Sequence, residues 1–110
     1  MSNTTQQDGK FIWIGLDGAT DWSLTQDMPQ YLPQGLKVRR IGIYCHAAAD
    51  EVIIRNSPVA AQTAAYICMF TAVAEYLSRE IYFGEEGAWM FPAFDAADLT
   101  GDTEVVIELK

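Results

Sequence analysis

Residues 38–56 read VRRIGIYCHAAADEVIIRN, and the fold turns on how the two apolar runs within them are joined. In the first run Ile41, Ile43 and Cys45 share one face under the period-two alternation of a strand, whereas Leu36 and Val38, just upstream, fall on the opposite parity. One extra residue near Arg39 and Arg40, a β-bulge, brings both halves onto the same face. Residues 51–55 form the second run, Asn56-Ser57-Pro58 ends it, and the HAAAD segment between the runs suits a turn. The expected reading is a β-hairpin, with Cys45 inside and His46 incidental at its tip.

Outward from that stretch the chain keeps the same character. Residues 1–10, MSNTTQQDGK, are polar and offer little to repay the entropy of ordering, so they read as a flexible N-terminal arm. In FIWIGLDGATDWSL, residues 11–24, the Asp17-Gly18 dipeptide suits a tight turn between an apolar run and a second element around Trp22 and Leu24. Residues 25–35 carry Pro29, Pro33 and Gly35 without a clear period and read as a long surface connection. Residues 59–79 suit either a buried helix or a strand. Aromatic and β-branched residues concentrate over 66–72, which favours a strand there. REIYFG and AWMFPAF flank Glu85-Glu86-Gly87 as a further hairpin, and the closing TEVVIELK alternates cleanly with Val105, Ile107 and Leu109 inward. Six to eight short strands separated by turns predict an all-β fold, a jelly-roll-like β-sandwich of short antiparallel strands with an extended N-terminal arm over 1–10 and a single β domain over 11–110.

Composition narrows the function classes. Seven basic against fifteen acidic residues give a net charge of −8, which argues against a nucleic-acid partner because phosphate binding needs the opposite sign. The apolar run at residues 59–77 approaches transmembrane length, but Gln62, Thr63 and Thr71 interrupt it and Glu75 lies near its end, so no membrane partner is expected. Cys45 and Cys68 make no disulfide framework, and the N-terminus has neither the cationic start nor the apolar core of a signal peptide, which fits synthesis in a reducing cytoplasm. Half the chain is hydrophobic, enough to leave some apolar surface for a partner.

Candidate chemistry is sparse. Cys45 and His46 are neighbours on a strand and point to opposite faces; even with Cys68 they lack the spacing of a zinc site. His46 is the only histidine and has no nucleophile-elbow motif to serve. Glu85 with Glu86 and Asp95 with Asp98 sit in turns, where nothing separates their pKa values for acid-base work, and Asp98, Asp102 and Glu104 lack the spacing of a calcium loop. The sequence thus assigns no catalytic, cofactor-binding or metal-ligating residue. It does polarise charge, since Lys37, Arg39, Arg40 and Arg55 are four of the seven cations. With the outward-parity candidates Tyr82 and Met90, they form the expected partner-binding set. The other aromatics, Trp13, Trp22, Tyr66, Phe70, Phe83, Trp89, Phe91 and Phe94, are more often core than platform.

The segments KVRRIGIYCHAAADEVIIRN, REIYF, WMFPAF and TGDTEVVIELK together resemble the small all-β capsid decoration proteins, also called cement or staple proteins, of short-tailed double-stranded DNA phages. The resemblance covers roughly residues 36–110 and rests on strand patterns rather than an active-site motif. It implies a non-enzymatic virion protein on the outer capsid surface, bridging major capsid protein subunits against internal DNA pressure, with a homodimer across symmetry axes as one arrangement. A head-completion or tail-associated structural protein shares the same features. A carbohydrate-binding β-sandwich using Trp13, Trp22 or Trp89 as a stacking platform is the alternative from a different class.

Overall fold

The computed structural model describes residues 3–75 and 77–110. It is an all-β sandwich of two antiparallel sheets, as the alternation predicts. Nine strands lie among the described residues: β1 (Thr4–Asp8), β2 (Phe11–Leu16), β3 (Leu36–Cys45), β4 (Glu51–Asn56), β5 (Tyr66–Thr71), β6 (Ser78–Tyr82), β7 (Ala88–Met90), β8 (Pro92–Ala93) and β9 (Thr103–Leu109). The large sheet runs β1-β2-β9-β3-β6, with β7 also paired to β3, and the small sheet runs β5-β4-β8.

β3 is the spine of the large sheet. It pairs with β9 along one edge and with β6 and β7 along the other. Val38 lies opposite Leu109 and Arg40 opposite Glu108, so Arg39 is the extra residue of a bulge, where the change of parity places it. Across that bulge Leu36, Val38, Ile41, Ile43 and Cys45 all reach the core, each no more than 1% exposed.

The expected hairpin of residues 38–56 is instead a corner between sheets. With both edges of β3 occupied, β4 crosses to the small sheet and pairs with β5 and β8. Three contacts make the turn: Ala49 adopts φ 71°, the Asp50 carboxylate accepts the Ala47 N–H at 3.1 Å, and the Ala49 N–H donates to the Ala72 carbonyl at 2.7 Å. The two runs of this stretch therefore supply central strands to opposite sheets. Val52 and Ile54 of β4 meet the inner face of β3 in one core with Ile12, Ile14, Val105 and Ile107.

Three further expectations change. Thr4–Asp8 is a strand rather than a flexible arm; residues 1 and 2 of that arm lie outside the described residues. β1 turns into β2 through Gly9 at φ 61°, and its side chains are polar because an edge strand keeps most of its surface in water. Trp22 does not return as a hairpin partner of β2. The Asp17 carboxylate accepts from the Ala19 and Thr20 amides and the Thr20 hydroxyl, turning the chain away to a bridge between Trp22 and Phe94 beyond β8. Residues 24–31 then make one α-turn and one 3-10 turn, burying Leu24 and Met28.

REIYFG and AWMFPAF do not pair with each other either. β6 and β7 lie along the same edge of β3, as one strand interrupted by residues 83–87 opposite the Arg39 bulge, where the Phe83 N–H reaches the Arg39 carbonyl at 2.7 Å, and the chain then crosses to the small sheet, where Pro92 and Ala93 form β8 against β4. The strand expected near residues 66–72 is β5, and Tyr76 of the stretch 59–79 lies outside the described residues. No helix among the described residues is long and apolar enough to cross a membrane.

Candidate functional site

The inner face of the large sheet is core, so its outer face is where exposed side chains accumulate. Register fixes three cross-strand rows there. Phe11, Glu108, Arg40 and Tyr82 form the first; Trp13, Val106, Gly42 and Glu80 the second; Gly15, Glu104, Tyr44 and Ser78 the third. Lys37 and Trp89 extend the face along β7. Phe11, Tyr44, Tyr82 and Trp89 are 48%, 38%, 58% and 60% exposed, which puts four large aromatic side chains on one sheet face.

Two glycines let part of this aromatic surface lie flat. A Cβ at Gly15 would come within 2.9 Å of the Trp13 ring, and one at Gly42 within 2.9 Å of the Tyr44 hydroxyl. Each ring thus occupies the space that a side chain would fill two residues along its own strand.

Charge on this face is paired within the chain. Arg40 meets Glu108 at 2.7 Å and Glu80 at 3.6 Å; Arg39 meets Glu85 at 2.6 Å and Glu108 at 3.6 Å; Lys110 pairs with Glu86; Lys37 sits 5.8 Å from the centre of the Trp89 ring. The Tyr82 hydroxyl donates to Glu85 at 2.6 Å, and this bond, followed by Arg39, holds the Glu85 carboxyl below its usual range. Lys110 does the same for Glu86. Four cations therefore face four carboxylates, and the run of cations does not make this face basic. The exposed pairs, Arg39–Glu85 and Lys110–Glu86, add little to stability but restrict the rotamers of the long side chains around the aromatics.

One end of the face is an open depression of about 290 Å³, lined in part by Thr4, Trp13, Asp17, His46, Asp102 and Glu104. Glu104 accepts from the Trp13 indole N–H at 2.9 Å and lies 2.9 Å from His46 Nε2. His46 chiefly, and Trp13 after it, lower the Glu104 pKa. His46 is exposed, as expected at a turn, but it belongs to this hydrogen-bonded set.

Of the six partner-binding candidates, the fold gathers Lys37, Arg39, Arg40 and Tyr82 on the outer face and removes two. Met90 lies opposite Leu36 on the inner parity and is 5% exposed. Arg55 is in the small sheet, 7% exposed, with Nε 2.8 Å from Asp98 Oδ2, Nη1 donating to the Ala64 carbonyl and its guanidinium 4.6 Å from the centre of the Tyr66 ring. Its charge is consumed inside the protein. Trp22 is likewise fully buried and no platform. Phe11, Tyr44 and Glu108 are not among the candidates, and Trp13 is one only as a stacking platform, although the alternation of FIWIGL and TEVVIELK aligns Phe11 and Trp13 with Glu104, Val106 and Glu108 once β2 and β9 are paired.

Both cysteines are free. Burial raises the Cys45 thiol and pushes Cys68 up to about 11, so neither is a ready thiolate near neutral pH. Among the described residues no group of three or more His, Cys, Asp or Glu side chains is arranged to hold a metal ion. No protein-family model, curated protein or solved structure matches this chain.

Proposed function

We propose that the protein is a non-catalytic virion structural protein that docks the outer face of its large sheet onto the outer capsid surface and bridges major capsid protein subunits. The observation that carries this reading is the exposed aromatic set Phe11, Tyr44, Tyr82 and Trp89 on one face, since aromatic anchors in a fixed polar frame are what protein interfaces use. The resemblance of residues 36–110 to capsid decoration proteins supplies the partner. Because Arg39 and Arg40 already hold carboxylates of their own chain, docking rests on aromatic burial, and the ion pairs orient the contact rather than drive it.

The test is cosedimentation with capsids that lack the protein. Tyr82→Glu combined with Trp89→Glu is expected to reduce binding by well over tenfold while leaving the fold unchanged, because loss of a single interface anchor typically exceeds the ~1.4 kcal/mol that equals a factor of ten. Undiminished binding of the double variant would refute the proposed face.

A second reading, a carbohydrate-binding module, draws on the depression in which the Trp13 ring stands beside Glu104, His46 and Asp17. A saturable shift of tryptophan fluorescence on titration with host-surface glycans, abolished by Trp13→Ala, would favour it. The docking reading expects no such shift.

A further inference from the structure

The open edges of the two sheets are protected unequally. β1 is polar and ends in Asp8; the β6-β7 edge carries Arg79 and Glu80 and is interrupted by residues 83–87; β8 is two residues long and begins with Pro92. Each has a recognised device against edge-to-edge association. β5, with the sequence YICMFT, has neither charge nor proline. Its defences are a register shift that leaves Ile67 unpaired with β4 and one bond from Arg79 to the Met69 carbonyl at 3.3 Å. No charged residue occurs from residue 56 to residue 74, although the segment is rich in alanine, valine and aromatics. Val59, Tyr66, Met69 and Val73 within it are 50%, 60%, 50% and 86% exposed.

We infer that β5 and its flanking loops form a two-fold contact with a second copy of this chain. Charge favours that occupant. Two chains of net charge −8 repel through most of their surfaces, and this uncharged segment is where they approach at least electrostatic cost. An apolar patch is also complementary to itself, as an isologous interface requires. Covering these four residues completely would remove roughly 430 Å² per copy, backbone atoms and the Tyr66 hydroxyl included, or on the order of 900 Å² in all, and the open edge of β5 with its flanking loops supplies the rest of the ~1,200 Å² at which stable interfaces begin. The inference stands apart from the capsid reading, since the patch lies on the small-sheet side and shares no residue with the outer face of the large sheet. If both hold, the dimer presents two docking faces, and the second engages at the high effective concentration set by the first.

Sedimentation equilibrium of the full chain at about 100 µM reads the result. The expected mass is twice the 12.2 kDa of one chain. Val73→Glu, at a position too exposed to disturb the monomer, is expected to return the mass to that of one chain with an unchanged circular-dichroism spectrum, and Met69→Glu to do the same. Trp89→Glu, on the outer face of the large sheet, is expected to leave the dimer intact. A monomeric wild-type chain, or an oligomer that neither Val73→Glu nor Met69→Glu dissociates, would overturn the inference.

Discussion

Trp22→Ala is expected to destabilise the protein by about 3–5 kcal/mol, the range for removing a large buried aromatic side chain and a substantial part of the ~5–15 kcal/mol that holds a domain together. The indole is fully buried and packs edge-on against Phe94, with ring centres 5.6 Å apart. The same two residues exchange backbone hydrogen bonds of 2.9 and 2.8 Å, and the indole N–H donates to Thr5 Oγ1 at 2.8 Å. One side chain therefore joins the edge strand β1 of the large sheet to the strand end beyond β8 in the small one. Trp22→Phe keeps most of the volume but loses the hydrogen bond and part of the buried ring, for an expected cost of about 1–3 kcal/mol. Urea unfolding measures both, and hydrogen exchange in the alanine variant should show β1 losing protection first. A cost below about 1 kcal/mol for Trp22→Ala would mean that the sheets are held together elsewhere.

Asp98→Ala is the second large effect. It leaves the Arg55 guanidinium buried with only the Ala64 carbonyl and the Tyr66 ring beside it, and breaking one partner of a buried pair is far costlier than the pair is worth. A fall in Tm of roughly 10 °C or more is expected for a domain of this size. The pH dependence has a definite sign. Arg55 first, and Gln62 with it, hold the Asp98 carboxyl below the ordinary value of 3.8. The stabilisation is thus complete above that value and disappears as pH falls through the lower folded-state pKa. Asp98→Asn removes this acid-labile component, so its unfolding should depend less on pH below 4 than that of the wild type. Equal acid sensitivity of the two proteins would show that the pair contributes nothing to acid unfolding.

Much of this architecture is legible in the sequence, and the failures share a cause. Period-two alternation identifies the inward residues of β3 and β9, and the change of parity at Arg39 locates the bulge, because side-chain direction is a local property of an extended chain. Strand pairing is not local. Residues 38–56 have the form of a hairpin, yet β3 has both edges filled by strands from residues 78–109, and nothing between His46 and Asp50 records that competition. The polar residues 4–8 conceal β1 for a related reason: an edge strand needs only backbone partners and one tethered side chain, here Thr5, although Asp8-Gly9 is a visible turn signal. At the candidate site, the sequence clusters cations along the chain but not the carboxylates that meet them. Glu108 and Glu85 reach Arg39 and Arg40 from β9 and from the interruption in the β6-β7 edge, which turns an expected basic face into an ion-paired aromatic one. Arg55 belongs to the same run of cations and is spent on Asp98 instead.

Capsid coating is the function proposed for this chain. If that proposal holds, density-gradient-purified particles of a phage that encodes the chain contain it, and the most direct measurement is its copy number per major capsid protein subunit by quantitative mass spectrometry. The account predicts a fixed stoichiometry near one per capsid subunit. A few copies per particle would assign the protein to the portal or tail instead, and its absence from purified particles would contradict a virion role altogether.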